Sequence, residues 1–119
     1  MVIENITSFF GFSSKSLPKD FLDLIKSLES HQEIDEKSFN LIYDAYLFGK
    51  EHHKNQKRKS GEPYFNHCVA VAQILASWGM DQNIIIGGLL HDTIEDTKVT
   101  KDDIQNRYGD DILFLVESV

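Results

Sequence analysis

The hexapeptide His91-Asp92-Thr93-Ile94-Glu95-Asp96 places one imidazole and three carboxylates within six residues, directly after the apolar run IIIGGLL. Helical residues three or four apart share a face, so Asp92, Glu95 and Asp96 would point the same way. Carboxylates so grouped repel one another unless a divalent cation, protonation or nearby lysines offset their charge. An acidic helix end in water is the plainer alternative. His91 diverges from Asp92 by about 100° on a regular helix. The two reach a common point only if the helix stops there and the backbone turns. A His-Asp pair joined by a histidine from another helix gives mixed nitrogen and oxygen donors, which suit manganese, iron or zinc better than calcium. His67 is the best candidate for that third ligand, because it follows the Gly61-Glu62-Pro63 break and opens an apolar segment. Taken alone, it also reads as an ordinary histidine. His52 and His53 lie in a basic segment and are expected to face solvent or to stand behind the ligands.

That basic segment is the second feature with chemical meaning. The chain has 119 residues and a net charge of −7. Residues 50–59, KEHHKNQKRK, carry 5 basic and 1 acidic side chain, whereas residues 60–119 carry 3 basic and 10 acidic. The acidic balance argues against general nucleic-acid binding, DNA included, which relies on basic surface to neutralise phosphates. The local run reads either as a solvated loop or helix end, or as a site for a small phosphorylated anion. Length allows one small domain. No apolar run approaches the 18 or more residues of a spanning helix, so no membrane role is expected. The N-terminus lacks the basic leader and long apolar stretch of a signal peptide. Cys68 is the only cysteine, which excludes an internal disulfide and suits a reducing cytoplasm.

Helices must position these residues. Apolar residues recur at three-four spacing and strand signals are scarce, so the chain is expected to be all-α. Residues 1–15 are aromatic-rich and expected to be irregular. Pro18 suits the start of a helix whose face is Phe21, Leu24, Ile25 and Leu28. A second helix is expected over about 35–54, with Phe39, Ile42, Tyr46 and Phe48 inward. RKSGEP breaks it, since Gly61 frees the backbone and Pro63 disfavours helix at Glu62. A third is expected over about 64–78, stopping at Gly79, with His67, Val71, Ile74, Leu75 and Trp78 on one broad face. Asp81 caps a fourth that runs to His91. Gly87 and Gly88 cost helix propensity there, which points to close approach by another helix. Thr100 and Asp103 form a capping box for a helix ending at Gly109. A last one starts near Asp110 or Asp111 and is still apolar at Val119.

Two runs, RKSGEPYFNH and LLHDTIEDTKVTKDDIQNRYGDDILFLVESV, closely resemble the hydrolase domain of the RelA/SpoT homologue family, over roughly residues 39–119. That family controls guanosine tetra- and pentaphosphate and belongs to the wider group of HD-domain phosphohydrolases. The resemblance implies an HD-type helical bundle of about five to six helices around one manganese ion. It implies removal of pyrophosphate from the 3′ position of the nucleotide, leaving GDP or GTP. His67, His91 and Asp92 match three metal ligands. Glu95 and Asp96 match the acidic pair that orients or activates the attacking water. Arg58, Lys59 and Ser60 match the segment that holds the guanine end. Cys68 stands where the family often has proline, and Asn55 where glycine is common. The family's fourth ligand is an aspartate several helices downstream, and no acidic residue of 97–119 takes its place in the motif order. The chain is therefore expected to be the N-terminal part of one such domain, binding metal weakly and turning over little. Self-association or a partner chain would cover its last apolar helix. The competing expectation is an inactive nucleotide-binding or regulatory fragment, completed by another chain.

Overall fold

The computed structural model describes residues 17–118, so the expectation for 1–15 lies outside the described residues. Among those residues all regular elements are helices: α1 (Lys19–Glu29), α2 (Glu36–His52), α3 (Phe65–Ser77), α4 (Gln82–Leu90), α5 (Thr93–Asp96), α6 (Lys101–Tyr108) and α7 (Asp110–Ser118). The all-α expectation holds. The segment beyond the expected count is the single turn α5. None of these helices is long and apolar enough to cross a membrane.

Short side chains set the starts. Asp35 accepts from Ser38 N at 2.8 Å at the head of α2, and Asp81 from Asn83 N at 2.8 Å at the head of α4. Thr100 and Asp103 bond reciprocally to each other's backbone amides at 3.1 and 2.9 Å, which makes the capping box of α6. After α3 the chain turns at Gly79, whose φ of 75° is left-handed and suits glycine.

The central element is α4, which packs against α2, α3 and α7, while α1 lies on α3. Its six residues Ile85, Ile86, Gly87, Gly88, Leu89 and Leu90 are all buried. The paired glycines make that possible from two sides. A β-carbon on Gly87 would stand 3.2 Å from Leu115 Cβ on α7, and one on Gly88 would stand 3.0 Å from Leu75 Cδ1 on α3. The expected inward faces of α1 and α2 are also buried, apart from Phe48, which is half-buried.

The face of α3 is not the expected one. Its buried residues are Phe65, Cys68, Val69, Ala72 and Ala76, whereas Ile74 is 50% and Trp78 67% exposed. Apolar residues surround this helix nearly all the way, so sequence spacing leaves its phase open. Close packing against α4 selects the small Ala72 and Ala76 for the interior and turns the larger side chains outward.

Between α2 and α3 the chain makes a small hairpin closed by a bridge between Lys57 and Pro63. Gly61 N donates to Arg58 O at 2.9 Å, and Arg58 N to Glu62 O at 2.9 Å. Gly61 has φ 90°. This is the hydrogen-bond pattern of a short loop with glycine at its left-handed position. It presents Arg58, Lys59 and Ser60 at an exposed tip.

Candidate metal centre

Two breaks in the helices build the site. The hairpin ends at Tyr64, and α3 then carries His67 in its first turn. At the other side α4 stops at Leu90, and His91 and Asp92 form the turn before α5. This is the interruption that adjacent His and Asp need if they are to share a target. One ligand atom from each of His67, His91 and Asp92 lies within 4.8 Å of the other two. The two imidazole rings are 5.9 Å apart between centroids. All three residues are half-buried.

Surrounding groups fix their orientation. His91 Nδ1 lies 2.6 Å from the carbonyl of Gly88. A carbonyl only accepts, so Nδ1 carries a proton and Nε2 is the nitrogen that faces the cluster. Nε2 is 2.9 Å from Asp92 Oδ2. The Tyr64 hydroxyl donates to the same Oδ2 at 2.6 Å. That bond, together with burial and the charges of Asp92 and Asp96, raises the Tyr64 hydroxyl above its ordinary pKa and keeps it a donor. Asp92 occupies the N-cap position of α5 yet makes no cap, because its carboxylate is turned into the cluster. Two imidazole nitrogens and a carboxylate, with an accepting carbonyl behind His91 and a donating hydroxyl on Asp92, fit a first-row divalent ion. Cys68 is not a competing ligand. Burial first, then the charges of Asp92 and Asp96, push its thiol up to about 12, so it stays neutral.

Residues 45–119 match the model of the family described as HD domain. The chain belongs to that family. It is 45% identical over 104 residues to a guanosine-3′,5′-bis(diphosphate) 3′-pyrophosphohydrolase of Aquifex aeolicus, which covers 87% of this chain and 14% of that protein. It is 42% identical over 86 residues to the bifunctional (p)ppGpp synthase/hydrolase SpoT of Escherichia coli, covering 72% of this chain and 12% of that protein. A GTP pyrophosphokinase of Streptomyces coelicolor is 42% identical over 87 residues, or 73% of this chain and 10% of that protein. The chain thus spans about an eighth of the length of these curated relatives. The expected kinship with the RelA/SpoT group holds.

Within this HD domain the other expected site residues are placed unevenly. Glu95 and Asp96 are exposed on α5, and neither carboxylate forms a hydrogen bond or ion pair among the described residues. The charge of Asp96 reaches Tyr64 and Cys68, and the residue lines a surface pocket with His52, Gln56 and Lys98. No hydrogen bond or ion pair joins Arg58, Lys59 or Ser60 to the cluster among the described residues. His52 is exposed, with its ring 4.4 Å from that of Phe48. His53 does not face solvent: it is fully buried and lies behind Tyr64, with ring centroids 5.2 Å apart. The lysines around it snorkel outward while the ring turns under. Tyr64 and Gln56 were not singled out from the sequence. Tyr64 lies three residues before His67, and that nearness was the one available signal.

Proposed function

We propose that this HD domain carries the metal-holding part of a manganese-dependent guanosine-3′,5′-bis(diphosphate) 3′-pyrophosphohydrolase, converting ppGpp or pppGpp to GDP or GTP and pyrophosphate. The convergence of His67, His91 and Asp92 carries the reading, and the 45% identity to a protein of that name supports it. His67, His91 and Asp92 hold the ion. When bound, a divalent ion supplies Lewis acidity and makes water a better nucleophile at neutral pH. Asp96 and Glu95, on the turn that follows Asp92, orient the attacking water and take its proton. The guanidinium of Arg58 stacks on the purine while Lys59 and Ser60 engage the nucleotide's polar groups. A cytoplasmic location is part of this reading, and the buried, free Cys68 suits it.

Three protein ligands leave an open coordination sphere, so we expect weak manganese binding and slow turnover by the 119-residue chain alone. A second reading, a nucleotide-binding part completed by another chain, is favoured by that ligand count and by Phe114, 69% exposed on α7. One assay separates them. Purified chain with excess manganese is given guanosine tetraphosphate, and released pyrophosphate is measured for wild type, Glu95→Ala and Asp96→Asn. Slow release that both substitutions abolish supports the hydrolase. Release that neither affects would overturn these roles. Release that appears only after adding a segment with the downstream helices of a relative supports the second reading.

A further inference from the structure

Gln56 joins the hairpin to the turn that carries Glu95 and Asp96. Its Nε2 donates to the backbone carbonyl of Asp96, and its Oε1 faces His53 Nδ1 at 2.8 Å. A carbonyl cannot donate, so the amide has one orientation, with Nε2 toward Asp96. Oε1 then accepts, and His53 must carry its proton on Nδ1. That leaves His53 Nε2 as a bare lone pair, buried and without a hydrogen-bond partner. Buried polar atoms are nearly always paired. The polar contact this ring does make is with Gln56, and the rings of Tyr64 and Phe65 lie beside it, with centroids at 5.2 and 6.3 Å. The backbone of Gln56 is also held: its N–H donates to His53 O at 2.9 Å, and its carbonyl accepts from Tyr64 N at 2.8 Å.

The turn at the other end needs such a tie. Helix α5 has four residues, and its backbone bonds are Asp96 N to Asp92 O at 3.0 Å and Thr97 N to Thr93 O at 3.1 Å. One turn of helix cannot hold itself, because nucleation costs more than so few bonds return. Its start is anchored by Thr93, which is buried and donates to Leu90 O at 2.7 Å. Its end, with Glu95 and Asp96, presents carbonyls that lack helical partners. Gln56 satisfies the carbonyl of Asp96.

We infer that Gln56, set by His53, is a positioning residue that fixes the carboxylate-bearing turn against the basic hairpin. The proposed hydrolase reading supplies the roles at the two ends, while the tie itself rests on geometry alone. The hairpin and the turn then move as one body. A nucleotide gripped at residues 58–60 meets Glu95 and Asp96 at a set distance. Freeing the turn by about 1 Å is enough to lower turnover by about a hundredfold.

Four variants of the whole chain test this. Gln56→Glu keeps the shape and sets an acceptor against the Asp96 carbonyl. Gln56→Met removes both polar ends. His53→Phe fills the ring's space without the Nδ1 donor, and His53→Asn keeps a donor near that place. The first readout needs neither metal nor substrate: amide hydrogen exchange at Asp96 and Thr97, with α3 and α4 as internal controls. Exchange about tenfold faster or more at those two amides alone is expected for Gln56→Glu, Gln56→Met and His53→Phe, with His53→Asn closer to wild type. The second readout is manganese-supplemented hydrolysis, where kcat should fall at least about tenfold with KM and manganese affinity within about twofold. Unchanged exchange at the two amides overturns the tie. Exchange that rises equally in α3 and α4 makes the effect a general loss of stability and also overturns it. Local exchange with unchanged kcat overturns the positioning role. Local exchange in a chain whose wild type does not hydrolyse keeps the tie and removes the hydrolase reading instead. Gln56→Glu remains informative should Gln56→Met fail to fold.

Discussion

At the scale of single residues, the candidate site depends on the groups that orient His91 and Asp92 as much as on those two side chains. Asp92 holds an N-cap position and leaves the cap unmade, so its carboxylate is free for His91 and Tyr64. The Tyr64 hydroxyl occupies one lone pair of Oδ2 at 2.6 Å. Removing that hydroxyl leaves Asp92 free to swing toward its usual place at the start of α5. Partners behind a metal ligand commonly contribute about tenfold to a hundredfold in affinity. We therefore expect Tyr64→Phe to weaken manganese binding by about tenfold or more while leaving the helical spectrum unchanged. Titration calorimetry checks this, and wild-type affinity in Tyr64→Phe would show the bond to be idle. The convergence of His91 and Asp92 was legible in the sequence from adjacency and residue type, and that of His67 from its place after the Gly61-Glu62-Pro63 break and from the resemblance. Tyr64 and Gln56 were not, because their partners lie 28 and 40 residues away along the chain. Of the two places open to His53, in solvent or behind the cluster, it takes the second. Charge in a segment describes its neighbours on average, and one ring can turn under while five cations stay in water.

At the scale of elements, capping and periodicity located the helices well, and packing decided the rest. α1 shows a single buried stripe and was read correctly. α3 is apolar on nearly every side, so its inward face depends on how near α4 can come. Glycines carry that information, though only in part. Gly87 and Gly88 stand out in the sequence because two glycines inside an apolar helix are unusual. Gly49, alone in its helix, does not stand out, although its site is tighter. A β-carbon there would lie 2.5 Å from Phe65 Cε1 and 3.2 Å from the Leu89 carbonyl oxygen, at the contact of α2 with α3 and α4. Phe65 is buried against Tyr46 and cannot step aside freely. At Gly88 the nearest atom is the tip of Leu75, a flexible side chain. Alanine brings better helix propensity at both positions, about 1 kcal/mol. We expect overpacking to exceed that at Gly49, so that Gly49→Ala destabilises by about 2 kcal/mol. Gly88→Ala should stay within about 1 kcal/mol of wild type. Denaturant melts of the two variants test the ranking, and equal midpoints would refute it.

At the scale of the whole molecule, the early and late parts of the chain are held together by a polar clasp over an otherwise apolar contact. Arg107 and Tyr108, at the end of α6, both reach Asp44 on α2. Arg107 donates from Nε at 3.1 Å and from Nη2 at 2.9 Å, and the Tyr108 hydroxyl donates at 2.8 Å. The guanidinium also lies over the Phe48 ring, 4.7 Å from its centroid. These bonds join residues more than 60 positions apart, and neither end showed its partner in the sequence. The Arg107 hydrogen bonds hold the Asp44 carboxyl below its ordinary value of 3.8 against the opposing effect of burial, and Tyr108 adds to the lowering. A pKa depressed on folding stabilises the folded state above the unfolded value, and that contribution fades as pH falls through the folded value. The clasp is therefore at full strength near neutrality and is lost on going below about pH 4. Because the Asp44 side chain is 40% exposed, water screens the pair and its contribution should not exceed about 1 kcal/mol. Asp44→Asn should then melt about 4 °C or less below wild type at pH 7. The two curves should converge as pH drops from about 4 to about 2, since protonation removes from the wild type what the substitution already removed. Parallel melting at a series of pH values measures the gap directly, and a gap that stays constant down to the lowest pH would show that Asp44 acts through shape and not through its charge.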